Sequence, residues 1–174
     1  GVGGQENTAI GFEALKANTT GVEQDADASY SLGKNTTGTR NVAIGRQSLY
    51  ENTTGDNNVA IGFEALKTED AHGQNVAIGY QALKTLNAGA IGYNTAVGWN
   101  AGLSMTTGQV NTLIGHIAGD ALTSGSDNVA VGYGALSSED AHGRNVAIGY
   151  EALKVQDAGS DAYNVAVGLS LIHI

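Results

Sequence analysis

The chain has 174 residues, 41% of them hydrophobic, so it is long enough to form one domain with a continuous core. Its 17 acidic residues against 8 basic ones give a formal net charge of -9, which argues against binding to the phosphate backbone of nucleic acids. The absence of cysteine excludes disulfides and thiolate metal sites, and no apolar run is long enough for membrane insertion.

From the N-terminus onward, the chain repeats one short motif, first seen as NTAIG at residues 7–11. The glycines that close the motif recur mostly every 17 residues and twice after 19. One interval is 34 residues, and the segment QDADASYSLGKNTTG at residues 24–38 aligns within it as a degraded unit. Ten units are therefore predicted. The closing glycines are Gly11, Gly45, Gly62, Gly79, Gly98, Gly115, Gly132, Gly149 and Gly168.

The motif itself predicts a short strand that is apolar on both faces, as in NVAIG at residues 41–45. One face can line the inside of the chain's own coil, whereas the other needs a second sheet or a partner chain. An amide opens nearly every unit, and stacked amides can hydrogen-bond from coil to coil at strand spacing. This predicted ladder consists of Asn7, Asn41, Asn58, Asn75, Asn94, Asn111, Asn128, Asn145 and Asn164, with Gln24 in the degraded unit.

Each predicted strand is followed by a segment such as FEAL or YQAL, for which a second strand and one helical turn both stay open. Turn residues come next, as NTTG at residues 18–21, 35–38 and 52–55 or as EDAHG at residues 69–73 and 139–143. A unit of 17 residues cannot bury its own apolar faces, but stacked units share a core. We predict an all-β fold, a parallel β-solenoid of about ten coils of 17 to 19 residues spanning residues 1–168.

The motif NVAIGxxAL, with its turn glycines and asparagine column, resembles the head repeats of trimeric autotransporter adhesins and the NTAIGYQAL-type repeats of phage tail fibres. The similarity covers residues 7–168. It implies a left-handed β-roll, a homotrimer, and a role in adhesion or receptor contact at a cell surface or on a virion fibre. Units of 17 residues are longer than is usual in these families, and no binding residue is carried over, because the shared motif is structural.

Two sets of side chains are candidates for binding. A divalent cation could be held by Glu69, Asp70 and His72, which recur as Glu139, Asp140 and His142, although duplication of an acidic turn is the simpler interpretation. An aromatic column after the closing glycine could contact a glycan, or could serve only packing or an interface between protomers. Its members include Phe63, Tyr80, Trp99, Tyr133 and Tyr150.

No catalytic residues and no cofactor are predicted, because the sequence spreads its residues evenly along a period and carries no catalytic motif. We expect a non-enzymatic, extracellular structural or adhesive fibre segment that acts by self-assembly, as a trimer or an end-to-end filament, and by contact with a surface glycan or protein receptor. The alternatives are a carbohydrate-binding module and a polysaccharide-degrading tailspike, for which Asp25 and Asp27 would be the acids. Residues 169–174 read like a translated sequencing adapter, so the natural fibre is expected to continue past Gly168.

Overall fold

The protein was studied as a computed structural model, which describes residues 6–138, 141–155 and 163–170. These residues form ten short strands in a single parallel sheet, and the strands follow one another in sequence order. The described residues include no helix long and apolar enough to cross a membrane. The prediction of an all-β parallel β-solenoid is confirmed. The strands are β1 (Thr8–Ile10), β2 (Asp25–Asp27), β3 (Val42–Ile44), β4 (Val59–Ile61), β5 (Val76–Ile78), β6 (Thr95–Val97), β7 (Thr112–Ile114), β8 (Val129–Val131), β9 (Val146–Ile148) and β10 (Val165–Val167).

The register of the sheet follows the sequence repeat. Ala60 pairs with Ala77 one coil on, and the 19-residue unit is accommodated by pairing Ala77 with Ala96. The degraded unit is a full member of the sheet, because Ala26 in β2 pairs with Ala9 on one side and with Ala43 on the other. The prediction that a hidden unit lies between residues 11 and 45 is therefore confirmed.

The core is built from two columns of inward side chains. The middle residue of each strand from β2 to β9 points inward and is fully buried; it is alanine everywhere except at Leu113. A leucine column faces these alanines, with Leu66 and Leu83 as fully buried examples. Small residues on the strand leave room for leucine opposite, so each coil fills its own cross-section and stacking closes the core.

The segment after each closing glycine is neither strand nor helix. In the fourth coil, Glu64 and Leu66 both have positive φ, 54° and 50°. The Glu64 N–H donates to Arg46 O of the preceding coil at 3.0 Å, and the Leu66 N–H donates to Ala82 O of the following coil at 2.9 Å. Residues in the left-handed region thus alternate along this segment. Their backbone N–H groups donate in turn to the preceding and to the following coil. Sequence could not indicate this, because leucine is disfavoured in that region.

The closing glycines form a corner where adjacent coils touch through their backbones. Gly62 has a φ of 134°, and a Cβ there would lie 2.3 Å from the carbonyl oxygen of Gly79. Both the conformation and the contact favour glycine over any residue with a side chain. In the degraded coil Ala28 holds this place with a φ of 124°.

Candidate functional site

The sheet presents an uncharged outer face along most of the solenoid. The first and third residues of each strand point away from the core and are half-buried to exposed; Ile44 and Ile114, for example, are 38% and 40% exposed. From β3 to β10 all sixteen of these positions hold valine, isoleucine or threonine, and we call this set the outer face. Its members are Val42, Ile44, Val59, Ile61, Val76, Ile78, Thr95, Val97, Thr112, Ile114, Val129, Val131, Val146, Ile148, Val165 and Val167.

The outer face stops at β2. There the outward positions hold Asp25 and Asp27, both exposed, directly beside Val42 and Ile44 of the next strand. A continuous uncharged strip of eight strands, roughly 34 Å long at the usual strand spacing and apolar except at Thr95 and Thr112, is therefore bounded on one side by two carboxylates. Strips of this size on soluble proteins mark contact surfaces.

The aromatic column forms a stack beside the outer face. Rings from Phe63 to Tyr150 lie nearly parallel, with interplanar angles of 8–14° and centroid separations between 4.2 Å (Tyr80 to Trp99) and 6.3 Å (Trp99 to His116). The guanidinium of Arg46 covers the free face of Phe63, 5.7 Å from its centroid. Each ring between Phe63 and Tyr150 has a stacked neighbour on both faces, so a sugar ring could stack on one of these rings only by displacing a neighbour.

The predicted asparagines lie at the start of each coil and join neighbouring coils. Asn41 Oδ1 accepts a hydrogen bond from the backbone N–H of Asn58 at 2.9 Å, while Asn41 Nδ2 donates to Gly55 O at the end of its own coil at 2.8 Å. Asn41 therefore closes its own coil and fixes the next. The same pair of contacts is made by Asn7, Asn58, Asn94, Asn111 and Asn128. In the degraded coil the Gln24 side chain makes only the contact within its own coil, from Nε2 to Gly38 O, and its Oε1 is buried without a hydrogen-bond partner among the described residues. The backbone N–H of Gln24 donates to Asn7 Oδ1 of the preceding coil.

A second amide ladder runs through the NTTG turns, which the sequence had predicted only as turns. The side chain of Asn35 donates to Asn18 Oδ1 at 3.1 Å, and that of Asn52 donates to Asn35 Oδ1 at 2.8 Å. Asn35 and Asn52 are completely buried. The signal was present in the sequence, since NTTG recurs at the 17-residue period.

The acidic turn brings the three cation candidates together. One ligand atom each from Glu69, Asp70 and His72 lies within 4.8 Å of the others. Glu69 is completely buried, and burial raises the pKa of its carboxyl, opposed by hydrogen bonds from the N–H groups of Ala88 and His72. Of the repeated set, Glu139 and Asp140 lie outside the described residues.

Carboxylates on the flank beside the aromatic column are ion-paired. Glu64 accepts from Lys67 and from Lys84, each at 2.7 Å, and from Gln81 at 2.8 Å. Burial alone would raise the pKa of Glu64, but these partners lower it to about 2. Glu64 is thus a permanently ionised partner of lysine, unlike the carboxyl of a general acid, which needs a raised pKa.

Comparison of the chain with protein-family models, with curated proteins and with solved structures gives no match.

Proposed function

We propose that this chain is a segment of a non-enzymatic extracellular fibre, in which copies associate through the outer face into a homotrimer with left-handed coils. The observation that carries the proposal is the uncharged strip of valine, isoleucine and threonine from β3 to β10. Burying such a surface is favourable by about 25 cal/mol per Å² of apolar area. Because the strip is only half-buried in one chain, a partner that covers its whole length removes the most apolar area from water.

Charge favours a copy of the same chain at this face. The formal net charge of -9 makes two copies repel each other over most relative orientations. The outer face carries no charge from β3 onward, so it is where two copies approach with the least repulsion. Asp25 and Asp27 in β2 limit the contact to the strands that follow.

We propose that the assembled fibre functions in adhesion and that its repeated coils make many weak contacts with a surface. Copies joined along their length present the same turns several times, and linked weak sites bind a surface more strongly than one site does. The resemblance of the NVAIGxxAL motif to adhesin and tail-fibre repeats supports this use. A surface glycan or protein receptor is the expected partner.

The proposal is tested by giving β5 the outward residues that β2 already carries. In the double variant Val76→Asp, Ile78→Asp, the outer face gains two carboxylates in its middle, at positions where β2 shows that aspartate fits the coil. The control variant Thr54→Asp, Thr107→Asp adds the same charge at exposed turn positions. Light scattering coupled to size-exclusion chromatography measures the mass of each.

We expect three times the mass of one chain for the natural sequence and for the control, and the mass of one chain for the β5 variant with unchanged circular dichroism. A natural chain that is monomeric at every concentration would exclude the proposal. A mass that keeps rising with concentration and is unaffected by the β5 variant would instead indicate an end-to-end filament.

A further inference from the structure

The second amide ladder ends abruptly at Asn52. Along this ladder each Oδ1 accepts from the side-chain amide of the next coil, as Asn18 does from Asn35 and Asn35 from Asn52. The residue that follows Asn52 in the same register is Glu69, and the adjoining Thr53 O–H donates to Asp70 O at 2.9 Å. Asn52 Oδ1 is buried and has no hydrogen-bond partner.

Glu69 cannot supply the missing donor when it is ionised. Its Oε1 accepts from the His72 N–H at 3.0 Å and its Oε2 accepts from the Ala88 N–H at 3.3 Å. Two acceptors, an amide oxygen and a carboxylate, thus occupy successive coils in the core, with the apolar Leu86 after them. In the described part of the chain, Asn52 Oδ1 lacks a donor, and Glu69 is a buried carboxylate whose only donors are two neutral backbone N–H groups. Both arrangements are costly, and a cation relieves both.

The remaining groups of the acidic turn complete a set of ligands. His72 Nδ1 lies 3.5 Å from Glu69 Oε1, is itself shielded from solvent and has no hydrogen-bond partner. Asp70 offers a second carboxylate within the same 4.8 Å cluster. His72 also lines an open depression of about 160 Å³, shared with Asp56 and Gln74.

We propose that Asn52, Glu69, Asp70 and His72 bind one divalent cation of the Mn²⁺ or Zn²⁺ class. Carboxylate and amide oxygens suit Mn²⁺, Mg²⁺ and Ca²⁺, whereas an imidazole nitrogen favours transition ions, so the mixed set selects ions that accept both. The ion joins the third and fourth coils where the amide ladder can no longer do so. This site is independent of the outer face and of the proposed assembly.

The second acidic turn has the same sequence as the first but lacks a counterpart of Asn52 in the preceding coil. Its Glu139, Asp140 and His142 repeat the sequence of the first, but Leu122 stands in the register of Asn52 and offers no oxygen. The first turn therefore has one ligand more. We expect it to bind the cation more tightly than the second.

The experiment uses the full chain with His142→Gln, so that one complete acidic turn remains. Isothermal titration with MnCl₂ and ZnCl₂ is compared with Glu69→Gln and with Glu51→Gln in that background; the second is a control acid that pairs with Lys34 one coil earlier. We expect one ion per chain, unchanged in Glu51→Gln. Glu69→Gln should weaken binding more than about tenfold, since even outer-shell changes cost metal sites about 10–100-fold.

Thermal melting without added metal separates loss of a ligand from loss of the fold. Glu69→Gln should melt within a few degrees of its parent, because the donor that the glutamine amide gives to Asn52 Oδ1 offsets the loss of one of the two acceptors that serve the His72 and Ala88 N–H groups. Its melting temperature should no longer rise with MnCl₂ or ZnCl₂. Absence of binding at millimolar metal in the parent, or equal binding in Glu69→Gln, would overturn the site.

Discussion

The second and fourth coils, residues 24–40 and 58–74, have the same fold with very different sequences. Both open with a buried amide, Gln24 or Asn58, whose side-chain nitrogen donates to a backbone carbonyl near the end of its own coil. Both place a fully buried alanine in the strand, Ala26 or Ala60, opposite a fully buried leucine. Their outward residues share nothing, since the second coil has two exposed aspartates where the fourth has valine and isoleucine.

This difference separates the inward residues, which the solenoid fold requires, from the outward residues, which are available for other roles. Inward residues and the amide that closes the coil are retained even in the most degraded coil, because stacked coils share one core. Outward residues tolerate the exchange of an apolar for a charged side chain without loss of register. The uninterrupted uncharged character of the outer face from β3 to β10 is therefore not required by the coil itself, which supports an interface there.

The largest expected difference is between two variants of the same strand, one with an aspartate at an inward position and one with an aspartate at an outward position. Ala60→Asp buries an unpaired charge in the core and should cost more than about 4 kcal/mol. Val59→Asp, one residue earlier, copies what Asp25 does in β2 and should cost about 1 kcal/mol or less in the isolated chain. Urea unfolding followed by circular dichroism measures both; equal losses would contradict the division into inward and outward residues.

The seventh coil sharpens the comparison within the core. Leu113 replaces the inward alanine, and glycines replace leucine opposite: a Cβ on Gly119 would lie 2.9 Å from Leu113 Cδ2, and one on Gly102 would lie 2.9 Å from Leu113 Cδ1. Leu113→Ala should therefore leave a cavity and cost about 3 kcal/mol. Gly119→Leu alone should overpack the core and cost about 1–3 kcal/mol.

Combining the two changes gives the seventh coil the arrangement of the fifth, where Ala77 is the inward strand residue and Leu83 and Leu86 take the places of Gly119 and Leu122. The double variant Leu113→Ala, Gly119→Leu should be more stable than either single variant, with a coupling of about 1–3 kcal/mol in a double-mutant cycle. Gly119 already has a φ of 57°, close to the 47–57° of the leucines in that column, so the backbone accepts the change. Additive losses would show that Leu113 and Gly119 do not compensate each other.

The sequence period was enough to predict the solenoid, its ten units and the order of its strands. Parallel stacking in register is the only way for columns such as Ala60, Ala77 and Ala96 to lie over one another. The turns after the glycines were not predictable, because seven leucines there adopt positive φ against their local preference. Hydrogen bonds between coils stabilise that conformation, and a single coil does not contain them.

The sites were predictable to different degrees. Glu69, Asp70 and His72 are sequence neighbours, so their proximity could be expected, whereas the role of Asn52 depends on register between coils. Apolar character on both faces of the strands was evident, but the sequence did not say which face lies outside. The identical orientation of alanine in successive strands settles this, because only small residues fit opposite leucine.

The smallest expected effect concerns the corner of the second coil, where alanine replaces the usual glycine. Ala28 has a φ of 124°, a region that glycine occupies in the other coils and that strains an L-residue by about 1–3 kcal/mol. Ala28→Gly should relieve this strain and, after the entropy that glycine adds to the unfolded chain, raise stability by about 1 kcal/mol. Ala17→Gly, where φ is not positive, should instead lower it by about 0.5–1 kcal/mol. Urea midpoints that fall equally in both variants would mean that the second coil holds Ala28 without strain, and that its sequence is as well adapted to the corner as the glycine of the fourth.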